Sequence, residues 1–337
     1  MLDAAALPAL PTVFGALITV ALWVYALTAG ADFGGGVWDL LARGPRKDAQ
    51  RQVIARAIGP IWEANHVWLI LVVVLLFVAF PPAFAAILTA LHVPLVAMLM
   101  GITLRGAAFV FRSYGPATGP WQRWGTVFAV SSTVTPILLG VVLGAVSSGA
   151  LQLGPDLTVQ TDFVSEWLAP FPWALGVMVL ALFAWLAAVY LCVAADDPDL
   201  QDDFRRRAVA ANLVFGAAAG VAALASIQGA PHRFQVRFGS ARAWLMQAVT
   251  ALVALLAVAA LLRRLFRLAR ALAVVQVTLV VAAWVVAQDG QLLVGQLGLA
   301  QAAAPASILA PVAVALALGS LLLVPAFAWL YRLQARH

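Results

Sequence analysis

Nine apolar runs constrain this chain more than any motif in it. They fall at about 12–32, 60–80, 84–112, 122–145, 171–193, 208–228, 243–262, 271–288 and 306–331. Each is near the ~20 residues an α-helix needs to cross the hydrocarbon of a bilayer. Inside lipid every backbone polar group must be satisfied within the protein, which leaves helices or closed barrels. Runs of this length favour helices over the ~10-residue alternating strands of a barrel. Only 10% of the 337 residues are charged and 64% are hydrophobic, whereas a soluble domain carries roughly 25% charged residues. The chain reads as an all-α polytopic membrane protein of about nine transmembrane helices. Two four-helix bundles plus one peripheral helix are expected. Residues 1–145 would form the first bundle, 146–170 an outer loop, and 171–337 the remaining five helices. No Arg/Lys-rich leader or small-residue cleavage site precedes the first run, so it is expected as a retained helix rather than a signal peptide.

The basic residues set the orientation, because Lys and Arg collect in cytoplasmic loops. With the N-terminus outside and the C-terminus inside, only Arg233, Arg237 and Arg242 of the 20 basic residues fall outside. The net charge of +6 therefore comes from short loops between apolar runs, and no nucleic-acid partner is implied. Asp196, Asp197, Asp199, Asp202 and Asp203, followed by Arg205, Arg206 and Arg207, read as a solvated inner loop. Trp23, Trp38, Trp62, Trp68, Trp121, Trp124, Trp167, Trp173, Trp244 and Trp329 fall mostly near span ends and fit an interfacial belt. The last four spans read as apolar scaffold facing lipid or partner helices. The single cysteine, Cys192, excludes an intramolecular disulfide and any Cys-based cluster. It is expected to pack as a small hydrophobe.

Chemistry concentrates at the inner ends of the first three spans. Asp32 closes the first span in Ala29-Gly-Ala-Asp-Phe-Gly-Gly-Gly-Val37, Glu63 opens the second in Gly59-Pro-Ile-Trp-Glu-Ala-Asn-His66, and Arg105 lies in the last turns of the third. A carboxylate at a membrane edge is costly unless paired, wetted or shared with a proton. Two acids and one guanidinium at one depth would keep the arginine charged and leave one acid poised to exchange a proton. The alternative is an ion pair that only tethers three helices. Asp39 reads as part of the aqueous inner loop, and Arg112, seven residues after Arg105 and on much the same face, as a snorkelling side chain. Trp62 and Asn65 flank Glu63, and Asn65 is suited to hydrogen-bond across helices. The Gly34-Gly35-Gly36 run follows a helix rather than a strand. It therefore suggests close packing or a flexible exit rather than a nucleotide site. His66 and His92 fall at different depths and do not make the matched axial pair of a bis-histidine haem, which leaves a single-ligand haem at either as the minor reading.

These residues together resemble subunit II of the cytochrome bd-type quinol oxidases. The likeness rests on Thr28–Val37, Gly59–Leu69, Phe80-Pro81 and Arg105-Gly-Ala-Ala-Phe-Val-Phe-Arg112, in that order and spacing. It implies a heterodimer whose subunit I carries the b-type haems and haem d, oxidises membrane quinol and reduces oxygen to water. This chain would bind no haem. It would stabilise that partner in a prokaryotic inner membrane and line a cytoplasmic proton route through Glu63, Asp32 and Arg105. A structural quinone, bound lipid and a small accessory membrane subunit are further implications. The family's Thr-Asp-Gly-Phe-Asp appears here with Ala29 and Ala31 in place of its first Asp and its Phe, and with the second acid kept as Asp32. Its Trp-Asp-Gly-Asn becomes Trp62-Glu-Ala-Asn65. Two other readings stand beside it. One is a proton- or cation-coupled secondary transporter, which would show internal repeats and interrupted helices. The other is a purely structural subunit of another electron-transfer complex.

Overall fold

The structure, a computed structural model, describes residues 9–58, 65–114, 123–231, 235 and 239–334. Trp62, Glu63, Trp121, Arg233 and Arg237 lie outside these residues. The described chain is helical almost throughout, beginning with α1 (Leu10–Leu40), α2 (Lys47–Ile58), α3 (His66–Ala79), α4 (Pro81–Ala90), α5 (His92–Tyr114) and α6 (Arg123–Ser147). There follow α7 (Pro170–Ala194), α8 (Pro198–Gly229), α9 (Ala241–Leu262), α10 (Phe266–Gln288), the short α11 (Leu299–Ala302) and α12 (Ala306–Gln334). Eight of these are long and apolar enough to cross a membrane, and α3 with α4 form a ninth segment bent by 119°. Among the described residues the only strands are two small antiparallel pairs. They are β1 (Gln152–Leu153) with β2 (Val159–Gln160), and β3 (Gln291–Leu293) with β4 (Leu297–Gly298).

Helix α7 is the packing centre. It lies against α1, α6, α8 and α10, and Trp185, Leu186, Ala187, Ala188 and Val189 on it are buried all round. Around α1 lie α3 and α6, with α5 against α6, while α9 packs on α10 and α8. Helix α12 touches α1 and α3 lightly, and Leu322 on it is 77% exposed. Large apolar residues also face outward on α8 and α9, including Leu224 and Leu255. That is what a lipid-facing surface requires, since lipid tails are as apolar as leucine.

The helix boundaries correct several expectations. The run 84–112 is not one span: it breaks at Leu91 between α4 and α5. Pro94 has no N–H to offer the carbonyl of Ala90, and its ring crowds that carbonyl, so the helix must restart just before it. Pro81-Pro82 opens α4 in the first helical turn, where a missing N–H costs nothing. The acidic stretch before the sixth apolar run is not a loop either. Asp197 caps α8, its carboxylate accepting from the Asp199 amide at 2.8 Å, and Pro198 occupies the first helical position.

Helix α1 runs straight through the glycine triplet instead of ending there. A side chain on Gly34 would strike the backbone carbonyl of Phe183 in α7, and one on Gly36 would strike Ser132 in α6. At Gly35 the added carbon would meet Ile58 Cδ1 at 2.6 Å. Each glycine costs a helix interior about 1 kcal/mol, and the contact it permits on three sides of α1 offsets that. Gly34→Ala is accordingly expected to cost about 1–3 kcal/mol or more, because backbone rather than a flexible tip stands in the way. A lowered unfolding midpoint in detergent would check this. Gly216→Ala, inside α8 where the added carbon meets nothing within 4 Å, should instead leave the midpoint no lower and raise it slightly.

Three further side chains depart from expectation. Trp38 is no belt residue: it is buried, and its Nε1 donates to the Ala184 carbonyl at 2.7 Å. The later spans also hold a polar clasp. Gln276 on α10 donates to Asn212 on α8 at 3.1 Å, and Asn212 donates to the Ala254 carbonyl on α9 at 3.2 Å. Cys192 is fully buried in the α7 core, as a small hydrophobe would be.

Candidate functional site

Asp32 lies just over two turns from the C-terminal end of α1, on the face turned toward α5 and α6. It is fully buried. Its Oδ1 receives the Nη2 of Arg105, and its Oδ2 receives the Nδ2 of Asn65 at 2.6 Å. Arg105 on α5 is also fully buried. Its Nε donates to Ser132 Oγ on α6 at 3.1 Å, and its Cζ sits 4.8 Å from the Phe33 ring and 5.0 Å from the Phe128 ring. One guanidinium thus joins α1, α5 and α6, with two aromatic faces taking up part of its desolvation. Of the expected constellation, Asp32, Arg105 and Asn65 meet, while Glu63 and Trp62 fall outside the described residues.

Four more buried polar atoms near this pair have no hydrogen-bond partner among the described residues. They are Arg105 Nη1, Asn65 Oδ1, His66 Nδ1 and Thr135 Oγ1. His66 opens α3 and packs beside Phe33 and Tyr25, with ring centroids 6.1 and 6.4 Å away. The centre therefore offers both donors and acceptors beyond the ion pair itself, which a purely apolar-packed tether would not need.

A second ion pair repeats the first two turns along. Asp39 is 1% exposed and forms an ion pair with Arg112, Oδ1 to Nη1 2.9 Å, with Arg51 Nε at 3.6 Å from the same oxygen. This corrects its placement in an aqueous loop, and Arg112 is a partner rather than a snorkelling side chain. Asp32 and Asp39 share one face of α1, and Arg105 and Arg112 share one face of α5, so two parallel helices are joined by two rungs. Phe128 is inserted between them, 5.0 Å from one guanidinium and 5.9 Å from the other. The repeated spacing was visible in the sequence, but only if α1 is allowed to continue past the glycines.

A family model described as cytochrome bd terminal oxidase subunit II matches residues 10–334. The chain belongs to that family. The cytochrome bd ubiquinol oxidase subunit 2 of Bacillus subtilis (strain 168) is 28% identical over 213 residues, covering 63% of this chain and 62% of the relative. The cytochrome bd-I ubiquinol oxidase subunit 2 of Escherichia coli (strain K12) is 28% identical over 178 residues, or 52% of this chain and 46% of that one. The matches thus span about half to three-fifths of these curated relatives. A solved structure of bd oxidase from Geobacillus thermodenitrificans shares the fold, with a TM-score of 0.76 over 96% of this chain and 98% of that one at 21% identity.

Two of the four histidines of this family member lie in the described spans, and they do not fit a haem held between them. His66 packs on rings of α1, whereas His92 opens α5 and packs on Phe163 of the α6–α7 loop at 5.3 Å. They face different parts of the molecule, with α3 and α4 between them.

Proposed function

We propose that this chain is the non-haem-bearing membrane subunit of a cytochrome bd-type quinol:oxygen oxidoreductase. It resides in a prokaryotic inner membrane with its N-terminus outside. It stabilises a haem-bearing subunit I and provides a cytoplasm-side proton route for the reduction of oxygen to water. The b-type haems and haem d of that partner supply the redox chemistry. No residue of this chain is assigned to a structural quinone or to an accessory subunit.

The observation that carries the reading is the fully buried Asp32–Arg105 pair with Asn65 on its open side. Glu63 lies two residues before Asn65 in the sequence, which makes it the second acid of this reading. In this reading Glu63 takes up a proton at the membrane edge and passes it toward Asp32. Asp32 binds it as its contact with Arg105 loosens and releases it as the contact re-forms. The transporter reading asks for internal repeats around mid-membrane acids. Family membership and acids gathered at one end favour the oxidase subunit.

The test of identity is purification of the native complex, identification of the copurifying chain, and a reduced-minus-oxidised absorbance spectrum. A haem-bearing partner and a haem d band are expected. A stable complex without either would overturn the assignment.

A further inference from the structure

A second polar feature lies away from the buried pairs. Between the α1–α2 connection and the first turns of α8 is a cavity of about 340 Å³, lined by Arg43, Arg46, Gln50, Asp203, Arg206 and Arg207. That volume is near the lower end of the roughly 300–1,000 Å³ common for small-ligand sites. Four guanidiniums face one carboxylate, and that carboxylate is occupied. Arg46 donates to both oxygens of Asp203 at 2.9 and 2.7 Å, and Gln50 donates to the same group at 2.9 Å. Arg46 therefore serves to clasp α2 to α8.

The other three arginines have no acid partner among the described residues. Arg207 is held in place: its Nη2 donates to Gln50 Oε1 at 2.7 Å, and its Cζ lies 5.7 Å from both the Trp38 and Phe204 rings. Its Nη1 is buried and unpartnered among the described residues. Arg43 and Arg206 stand exposed at the rim. Basic residues that act only as topology anchors have no reason to converge on a concavity, nor to fix one guanidinium with a free donor inside it. A planar guanidinium fork with two exposed cations beside it matches the oxygens of a phosphate.

We infer that this pocket binds a phosphate group, either the phosphodiester of an anionic lipid head group or free inorganic phosphate. The site lies at the ends of membrane helices, where basic pockets meet lipid head groups. It stands apart from the proposed proton route, and its test requires no oxygen reduction.

The intact complex in detergent would be titrated separately with cardiolipin, phosphatidylcholine and inorganic phosphate at constant ionic strength, reading the unfolding midpoint. Both Arg43 and Arg206 are exposed, so the R43Q/R206Q variant should fold normally, shown by an unchanged midpoint without ligand. Cardiolipin is expected to raise the wild-type midpoint well beyond phosphatidylcholine if the ligand is a lipid. Inorganic phosphate alone would do so if the ligand is soluble. In either case R43Q/R206Q should weaken apparent affinity at least tenfold. A wild type that responds to neither ligand, or a double variant that responds in full, would overturn the assignment.

Discussion

Arg105→Leu is expected to cost the folded subunit about 3–5 kcal/mol, the usual penalty for breaking a buried ion pair by removing one partner. The loss has three sources. Asp32 keeps its burial but loses its counter-charge, Ser132 Oγ loses a donor, and the Phe33 and Phe128 faces lose the cation between them. Unfolding midpoints in detergent, or the yield of assembled complex, would read it. Asp32→Asn strands the guanidinium instead, with only Ser132, a backbone carbonyl at 3.5 Å and the two rings to support it. The double variant Asp32→Asn/Arg105→Leu should be more stable than the sum of the single losses predicts, because neither charge is then left buried alone. Additive losses would mean the pair is not coupled, and the site as described would be wrong.

The second large effect falls on turnover. Glu63→Gln removes the proton-binding group but keeps the size of the side chain and its hydrogen-bonding capacity. If Glu63 is the entry acid, oxygen consumption should fall at least tenfold, equivalent to about 1.4 kcal/mol on the rate-limiting barrier. The haem spectrum and the amount of assembled complex should stay as in wild type. Glu63→Asp shortens the acid by one methylene and restores the residue carried by the family pattern. It should retain most of the rate. A merely structural Glu63 would show the reverse order, since Gln conserves shape better than Asp.

The spans were legible because hydropathy over ~20 residues does not depend on tertiary contacts. Asp32, Arg105 and Asn65 were legible for a related reason: a charge or amide in an apolar run must find a partner, and the hairpin order limits the choices. Asp39 was misplaced because the glycine triplet looked like an exit. Glycine is a poor helix former in isolation, yet here α1 needs its missing side chains to approach α6, α7 and Ile58. The second rung was lost with that boundary.

The break at Leu91 and the start of α8 had local signals in Pro94 and in Asp197-Pro198, which the apolar count overrode. The Asn212–Gln276 clasp had no such signal. It depends on which faces of α8 and α10 oppose one another, and residues 64 positions apart in sequence carry no mark of that. The basic pocket is similar: its arginines come from two segments far apart in sequence, joined through Arg46–Asp203, Gln50–Asp203 and Arg207–Gln50.

In the proposed function, Glu63 and the buried Asp32–Arg105 pair deliver protons rather than only hold helices together. Its most direct test is charge movement in liposomes containing the purified complex, recorded as quinol-reduced enzyme meets oxygen. For Glu63→Gln this movement is expected to be slowed at least tenfold or lost, with the haem spectrum intact and Glu63→Asp close to wild type. Charge movement at the wild-type rate in Glu63→Gln, across the working pH range, would contradict it.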